Sequence, residues 1–135
     1  MTSFSELGLS EKIVAGVTQL GYTTPTPIQE KAIPLLLEGR DMIGLAQTGT
    51  GKTAAFGLPI IEMLLKQPDR PANRTTRTLI LAPTRELVNQ IGENLRSFVK
   101  KTPLRINQVV GGASINKQQL QLEKGTDILV ATPGR

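Results

Sequence analysis

An eight-residue segment in the first half of the chain constrains its fold more than any other feature. The segment, AQTGTGKT, runs from Ala46 to Thr53, after a short apolar run and before a stretch with helical spacing. Gly49 and Gly51 allow the backbone to curl so that successive N–H groups point at phosphate oxygens. The helix that follows adds the positive end of its dipole. A glycine-rich loop between a strand and a helix is typical of nucleotide-binding α/β proteins.

The loop fits the P-loop pattern at every position but the first, which is Ala rather than Gly. Lys52 can reach the β- and γ-phosphates, and the hydroxyl of Thr53 can hold Mg²⁺, so both are candidate catalytic residues and Thr53 is the candidate metal ligand. The alternative is a glycine turn with an incidental Lys-Thr pair. The predicted strand and helix on either side favour nucleotide binding. The predicted nucleotide-binding residues of the loop are Ala46, Gln47, Thr48, Gly49, Thr50, Gly51, Lys52 and Thr53.

The rest of the chain predicts two helices followed by alternating strands and helices. Ser10 and Thr26 are the predicted N-caps of the first two helices. Alternation of this kind predicts an α/β domain with a parallel sheet flanked by helices. The predicted strands lie at 41–46, 78–82, 105–110 and 127–131, and the later helices at 52–66, 84–101 and 114–123.

Composition narrows the chemistry that the chain can perform. It has no cysteine and no histidine, which excludes disulfide scaffolds, thiolate zinc sites and Ser-His catalysis. The net charge of +5 suits an anionic partner such as nucleic acid, although many basic proteins bind none. Neither a secretory signal nor an apolar stretch of about 20 residues is visible, so we expect a cytoplasmic protein without membrane contact.

A nine-residue segment before the loop, GYTTPTPIQ, suggests what the nucleotide is. Together with Phe4 upstream, it resembles the Q motif of DEAD-box RNA helicases. The resemblance implies that Gln29 pairs with the adenine edge of ATP and that Tyr22 packs on the base, with Phe4 as a supporting aromatic. The alternative is a capping box, in which Gln29 bonds back to the Thr26 amide. The whole segment, followed by the P-loop at the spacing of the family, favours adenine binding.

Three later segments resemble further elements of the same family. APTREL at 82–87 is similar to motif Ia, Gly111-Gly112 to the GG element, and TPGR at 132–135 to motif Ib. The resemblance implies that they bind the sugar-phosphate backbone of single-stranded or duplex RNA, and arginines can pair with phosphates. Taken singly, each segment could also be a helix cap or a turn. The predicted RNA-binding residues are Pro83, Thr84, Arg85, Gly111, Gly112, Thr132, Pro133, Gly134 and Arg135.

The resemblance covers essentially the whole chain and implies a P-loop NTPase with a RecA-like sheet. Residues 1–135 would form a partial ATP-binding domain, incomplete at its C-terminal end, with the Q motif region 1–39 preceding the P-loop unit. No Asp-Glu-Ala-Asp or Ser-Ala-Thr sequence occurs, and the second RecA-like domain of the family is absent. We therefore expect a segment of an ATP-dependent RNA helicase, an ATP hydrolase that unwinds RNA. The segment itself should bind nucleotide without turning it over.

Two other classes stay open at this point. A small-molecule kinase or other P-loop phosphotransferase would need an acceptor pocket and a lid with arginines, and it leaves 83–87 unexplained. A truncated RNA- or nucleotide-binding module without catalysis would share all the motifs of the chain. Continuation of the natural reading frame into an Asp-Glu-Ala-Asp strand would separate a helicase from such a module.

Overall fold

The computed structural model describes residues 3–46, 51–67 and 69–135, and the chain divides into two compact units, Met1–Gln67 and Pro68–Arg135. Four predicted nucleotide-binding residues lie outside the described ranges. They are Gln47, Thr48, Gly49 and Thr50.

The first unit is helical. A 3-10 turn at Phe4–Leu7 precedes α1 (Glu11–Gln19), α2 (Pro27–Leu37) and α3 (Lys52–Lys66). Its core is made of side chains that the apolar spacing of each helix places on one face. They include Val17 of α1, Ile33 of α2, and Leu58 and Ile61 of α3, all of them buried.

α1 begins where the sequence predicts it, with Ser10 as its N-cap residue, but a different group satisfies the helix start. Ser10 occupies the N-cap position, but its side chain makes no capping hydrogen bond. Instead its backbone N–H donates to Oε1 of Glu62, a buried residue of α3, at 2.6 Å. A carboxylate from another helix therefore satisfies one of the amides that a helix leaves unpaired at its start.

The predicted strand at 41–46 does not form, and this expectation was wrong. Residues 41–46 belong to no strand within the described ranges, and Ile43 and Leu45 are 93% and 91% exposed. A short apolar run favours a buried strand only where neighbouring strands supply backbone partners and a cover for its side chains. The apolar spacing carries no information about whether those partners are present.

The second unit confirms the predicted α/β fold with a parallel sheet. It contains β1 (Thr76–Leu81), α4 (Arg85–Phe98), β2 (Ile106–Val109), α5 (Ile115–Leu122) and β3 (Thr126–Ala131). The sheet has three strands in the order β1-β3-β2, all parallel. Buried Ile128 and Val130 of β3 lie at its centre, where Val88 and Leu95 of α4 are also fully buried.

The order of the strands places the loops of interest along one edge. The connection through α4 passes β3 to reach β2, and the connection through α5 returns to the central position. Because such crossovers are right-handed, α4 and α5 cover opposite faces, and the carboxyl ends of the strands share one edge. The loops at 83–85, 111–112 and 132–135 all follow those ends.

A buried ion pair joins the amino ends of the strands. Asp127 of β3 accepts from Nη1 of Arg77 on β1 at 3.1 Å and from the backbone N–H of Arg105, just before β2, at 2.8 Å. The carboxylate is nearly inaccessible, so these bonds are needed to satisfy its charge. One side chain thus ties together all three strands opposite the edge that carries the loops.

Candidate functional site

The candidate site of the first unit begins at the N-terminus of α2, where a capping box forms. Oε1 of Gln29 accepts from the backbone N–H of Thr26 at 3.0 Å. The hydroxyl of Thr26 accepts from the backbone N–H of Gln29 at 3.5 Å. The capping alternative for Gln29 is therefore correct for one end of its amide.

The other end of the same amide reaches the phosphate loop. Nε2 of Gln29 donates to the carbonyl oxygen of Gly51 at 3.1 Å, and Gln29 is only 1% exposed. Gly51 has φ +79°, and a Cβ at this position would collide with Nε2 of Gln29. A glycine is thus required here both by the backbone conformation and by the approach of the amide.

Capping and adenine recognition are chemically compatible at Gln29. A carboxamide has two acceptor lone pairs and two N–H donors. The two side-chain bonds to Thr26 and Gly51 use one lone pair and one N–H. One of each is left to meet an adenine edge, and that role of Gln29 stays a prediction.

The two predicted catalytic residues lie at the start of α3. Gly51 is the N-cap residue, Lys52 is the first helical residue and is exposed, and Thr53 is half-buried. The first turn of this helix carries no acidic residue. Lys52, the helix dipole and the amides of the first turn, which have no partner within the helix, therefore make this helix start favourable for an anion.

The metal-binding potential of this site is limited. Among the residues that the structure describes, no group of three or more His, Cys, Asp or Glu side chains could hold a metal ion. Mg²⁺ commonly keeps several waters and binds through few protein oxygens plus substrate phosphates. The single hydroxyl of Thr53 fits that mode of binding.

The aromatic residues of the Q motif region contact each other. The rings of Phe4 and Tyr22 are edge to face, with centroids 6.4 Å apart and planes at 86°. Phe4 is 2% exposed, whereas Tyr22 is half-buried. Phe4 thus supports Tyr22 from within the core, and Tyr22 is the ring with surface available to a base.

A mostly apolar cavity of about 270 Å³ lies between α2 and α3. Its lining includes Ile28 and Leu36 of α2 and Lys52 and Phe56 of α3. Neither Tyr22 nor Gln29 lines it. The predicted base contacts and this cavity are therefore separate features.

In the second unit, one arginine joins two of the predicted RNA elements. Thr84 caps α4, its hydroxyl accepting from the backbone N–H of Leu87 at 3.1 Å. The next residue, Arg85, donates from Nη2 to the carbonyl oxygen of Gly111 at 2.7 Å. Gly112 has φ +82°, and a Cβ there would collide with Arg85. The glycines therefore allow the loop to approach the guanidinium.

The third predicted RNA element lies at the same edge of the sheet. The backbone N–H of Thr132 donates to the carbonyl of Val109 at 3.2 Å, two residues before Gly111. A turn follows, in which the N–H of Arg135 donates to the carbonyl of Thr132 at 3.1 Å. The predicted residues that follow Thr132 are exposed, namely Pro133, Gly134 and Arg135. Pro83, Arg85, Gly111 and Gly112 are exposed as well. Two exposed arginines and a glycine loop thus share one edge, an arrangement that suits a phosphodiester backbone.

Sequence reasoning missed Gln118 on α5. Its Nε2 donates to the carbonyl of Val110 at 3.1 Å and so supports the strand end that leads into Gly111. The sequence offers only the position of Gln118, seven residues after Gly111, in a helix with several other side-chain amides. Spacing alone does not show which of these amides is buried.

Comparison with known proteins shows that one protein family matches most of the chain. Residues 26–135 match the family model described as DEAD/DEAH box helicase. The chain is 52% identical over 135 residues to the ATP-dependent RNA helicase CshA of Listeria monocytogenes, covering 100% of this chain and 25% of that protein. It is 45% identical over 133 residues to the ATP-dependent rRNA helicase rrp3 of Aspergillus terreus, covering 98% of this chain and 29% of that protein.

A solved structure agrees with these sequence matches. The crystal structure of the RNA helicase Prp28 from Chaetomium thermophilum bound to ADP superposes with a TM-score of 0.90 at 44% identity. The match covers 100% of this chain and 33% of that one. The chain therefore spans about a quarter to a third of the length of these relatives.

Proposed function

The chain belongs to the DEAD/DEAH box helicase family, and we propose that it is the ATP-binding front of a motor that unwinds RNA duplexes. The observation that carries this proposal is the bond from Nε2 of Gln29 to the Gly51 carbonyl. It joins the proposed adenine-reading residue directly to the phosphate loop. A nucleotide that occupies both positions would therefore contact one connected unit.

On the nucleotide side, each group has a separate task. Lys52 and the amides at the start of α3 bind the phosphates of ATP, and the hydroxyl of Thr53 holds Mg²⁺, which neutralises phosphate charge when bound. The remaining donor and acceptor of Gln29 read N7 and N6 of adenine. Tyr22 packs on the base, backed by Phe4. The residues at 46–51 complete the phosphate cradle.

On the RNA side, the edge of the sheet binds the sugar-phosphate backbone. Arg85 and Arg135 pair with phosphates, Thr84 and Thr132 offer hydroxyls, and Gly111 and its neighbour let amides approach. Since these groups contact the backbone and not the bases, RNA binding should be strongly salt-dependent. A second RecA-like domain would complete the RNA and ATP sites and couple hydrolysis to unwinding. The cytoplasmic location predicted from composition stays a prediction.

The proposal is tested by ATP hydrolysis and strand separation in two proteins. The full-length protein should hydrolyse ATP faster with single-stranded RNA present and should unwind a short duplex. The 135-residue chain should bind ATP or ADP in calorimetry but release no phosphate above background. Phosphate release by the short chain would contradict the proposed division of labour. RNA-independent hydrolysis without unwinding by the full-length protein would contradict the helicase assignment.

A further inference from the structure

Glu62 is a buried carboxylate that the proposed function does not use. It lies on α3, the helix that begins with Lys52 and Thr53 at the proposed phosphate site, and it is 3% exposed. Its Oε1 accepts from the backbone N–H of Ser10 at 2.6 Å. Its Oε2 lies 3.9 Å from Nζ of Lys66, a side chain that is largely exposed. The carboxylate therefore joins α3 to the N-terminus of α1.

The bond from Ser10 replaces one that α1 cannot form within its own first turn. In α2 the capping box is closed locally, because Gln29 at the third helical position accepts the N–H of Thr26. The third helical position of α1 is Ile13, whose side chain has no acceptor. The N–H of Ser10 is paired instead with a residue 52 positions away. The start of α1 is thus fixed to α3.

The two aromatic residues of the Q motif region lie on either side of α1. After the helix, the backbone N–H of Tyr22 donates to the carbonyl of Val17 at 3.0 Å, with Gly21 at φ +94° completing the turn. Before the helix, the 3-10 turn that carries Phe4 ends three positions ahead of Ser10. The rings of Phe4 and Tyr22 then meet edge to face. The start of α1 is therefore connected to both rings through short stretches of ordered backbone.

The chemistry of this contact suits a geometric role better than a purely stabilising one. A buried carboxylate must be removed from water, and apolar side chains of similar volume often stabilise a protein as well or better. Apolar contacts have no preferred direction, whereas a hydrogen bond fixes both a distance and an angle. The bond between Glu62 and Ser10 thus sets where α1 begins along α3.

We propose that Glu62 is a positioning residue for ATP, which holds Tyr22 at a fixed distance from the phosphate site through Ser10 and α1. This inference rests on the proposed nucleotide function and deepens it. Glu62 follows Lys52 by ten residues, which is about 15 Å of helix. One helix therefore carries the phosphate site at its start and the attachment of the base-packing ring farther along. A nucleotide that contacts both binds best when their spacing is set before it arrives.

The test uses the full-length protein and removes the bond from either side. Glu62→Leu removes the acceptor and keeps a bulky side chain, whereas Glu62→Gln keeps an acceptor oxygen. Ser10→Pro removes the donor N–H, and the φ of −67° at this position is the value that proline requires.

Two controls separate positioning from other effects of these changes. Leu64→Ala removes a buried apolar side chain from the same helix and controls for lost stability. Lys66→Ala removes the cation near Oε2 and leaves the bond to Ser10 in place. Calorimetry measures the affinity for ADP and GDP, and competition with ADP measures that for pyrophosphate, which has phosphates but no base. Steady-state hydrolysis with saturating RNA gives KM and kcat for ATP.

Glu62→Leu and Ser10→Pro should each lower the affinity for ADP by about fivefold or more, the effect of one lost hydrogen bond. KM for ATP should rise to match, and the preference for ADP over GDP should shrink. The affinity for pyrophosphate and kcat should stay within about twofold of wild type, because the phosphate site is unchanged. Glu62→Gln and both controls should bind ADP like wild type. The double variant should be no weaker than either single variant, because both changes remove the same bond.

Several results would overturn the proposal. Wild-type affinity for ADP in Glu62→Leu and Ser10→Pro, or an equal loss in Leu64→Ala, would make Glu62 a structural contact alone. An equal loss in Glu62→Gln would show that the charge matters and not the bond. A parallel loss of pyrophosphate affinity would place the effect at the phosphate site. If Glu62→Leu does not fold, Ser10→Pro decides the outcome.

Failure of the proposed function gives a different result. If the wild-type protein binds ADP and GDP equally well, adenine recognition is wrong, and the positioning role of Glu62 is wrong with it. If the wild-type protein prefers ADP and the variants keep that preference, only the positioning role is wrong.

Discussion

Nε2 of Gln29 donates to the carbonyl oxygen of Gly51 at 3.1 Å, although the two residues are 22 positions apart in the sequence. Oε1 of the same side chain accepts from Thr26. The amide is therefore oriented by α2 and anchored to the start of α3. Changes at either residue should affect both the folding of the first unit and its affinity for nucleotide.

Gln29→Glu keeps one of the two hydrogen bonds of this side chain and removes the other. The carboxylate keeps an acceptor for the Thr26 N–H but has no donor for Gly51, and it places negative charge against a carbonyl oxygen. We expect the free energy of unfolding to fall by about 1–3 kcal/mol, the cost of an unpaired buried group. ATP affinity should fall at least tenfold, a loss of about 1.4 kcal/mol or more, and the preference for ATP over GTP should disappear.

The measurements for this prediction are thermal unfolding and calorimetry with both nucleotides. Gln119→Glu, an exposed position on α5, is the control for the charge change and should leave both quantities near wild type. A variant that loses stability but keeps its preference for ATP would show that Gln29 acts as a cap alone.

Gly51→Ala and Gly16→Ala form a second matched pair. At Gly51 the added Cβ meets Gln29, and φ is +79°. At Gly16, inside α1, it meets nothing within 4 Å. We expect Gly51→Ala to destabilise the protein by about 1 kcal/mol or more, because alanine disfavours positive φ. Gly16→Ala should stabilise it by about 0.4–1 kcal/mol. Chemical denaturation measures both, and equal effects at the two positions would contradict the close approach of Gln29.

Lys52→Ala tests the phosphate site. The lysine lies at the start of α3, where it faces the proposed phosphates, and a charge-assisted contact contributes about 1.5–3 kcal/mol. Nucleotide affinity should therefore fall at least tenfold while the melting temperature changes little. Lys66→Ala, at the other end of the same helix and 68% exposed, removes the same charge and should leave affinity unchanged. Unchanged affinity in Lys52→Ala by calorimetry would exclude the phosphate role.

Arg85→Ala tests the RNA edge. Loss of this side chain removes a proposed phosphate contact and also frees Gly111, so single-stranded RNA of any sequence should bind more weakly. The slope of log affinity against log salt should become shallower by about 0.7 to 1, the share of one phosphate contact. Arg70→Ala, an exposed arginine in the loop before β1, is the control for charge. A change in base preference with an unaltered salt slope would contradict backbone binding.

Where structure is decided by neighbours along the chain, the sequence was sufficient. Thr26 is a predicted helix cap, and a helix cap is the alternative for the segment that contains Thr84. Both hydroxyls accept a backbone N–H from within the first turn of their helix. The strands predicted at 78–82 and 127–131 form within two residues of those limits. A cap and a run of apolar residues are local properties, and the alternation of elements follows from them.

The tertiary structure decided what depends on residues far apart in the chain. Residues 41–46 have the apolar character of a strand but no strand structure, since pairing requires partners that spacing cannot reveal. Ser10 is the N-cap residue of α1 as predicted, but its side chain makes no capping bond, and Glu62, 52 positions away, accepts its backbone N–H. The sequence by itself determined a nucleotide-binding α/β chain and the residues available to its sites. Only the fold determined that one amide serves both α2 and the phosphate loop, because a hydrogen bond forms where distance and direction allow, whatever the separation in sequence.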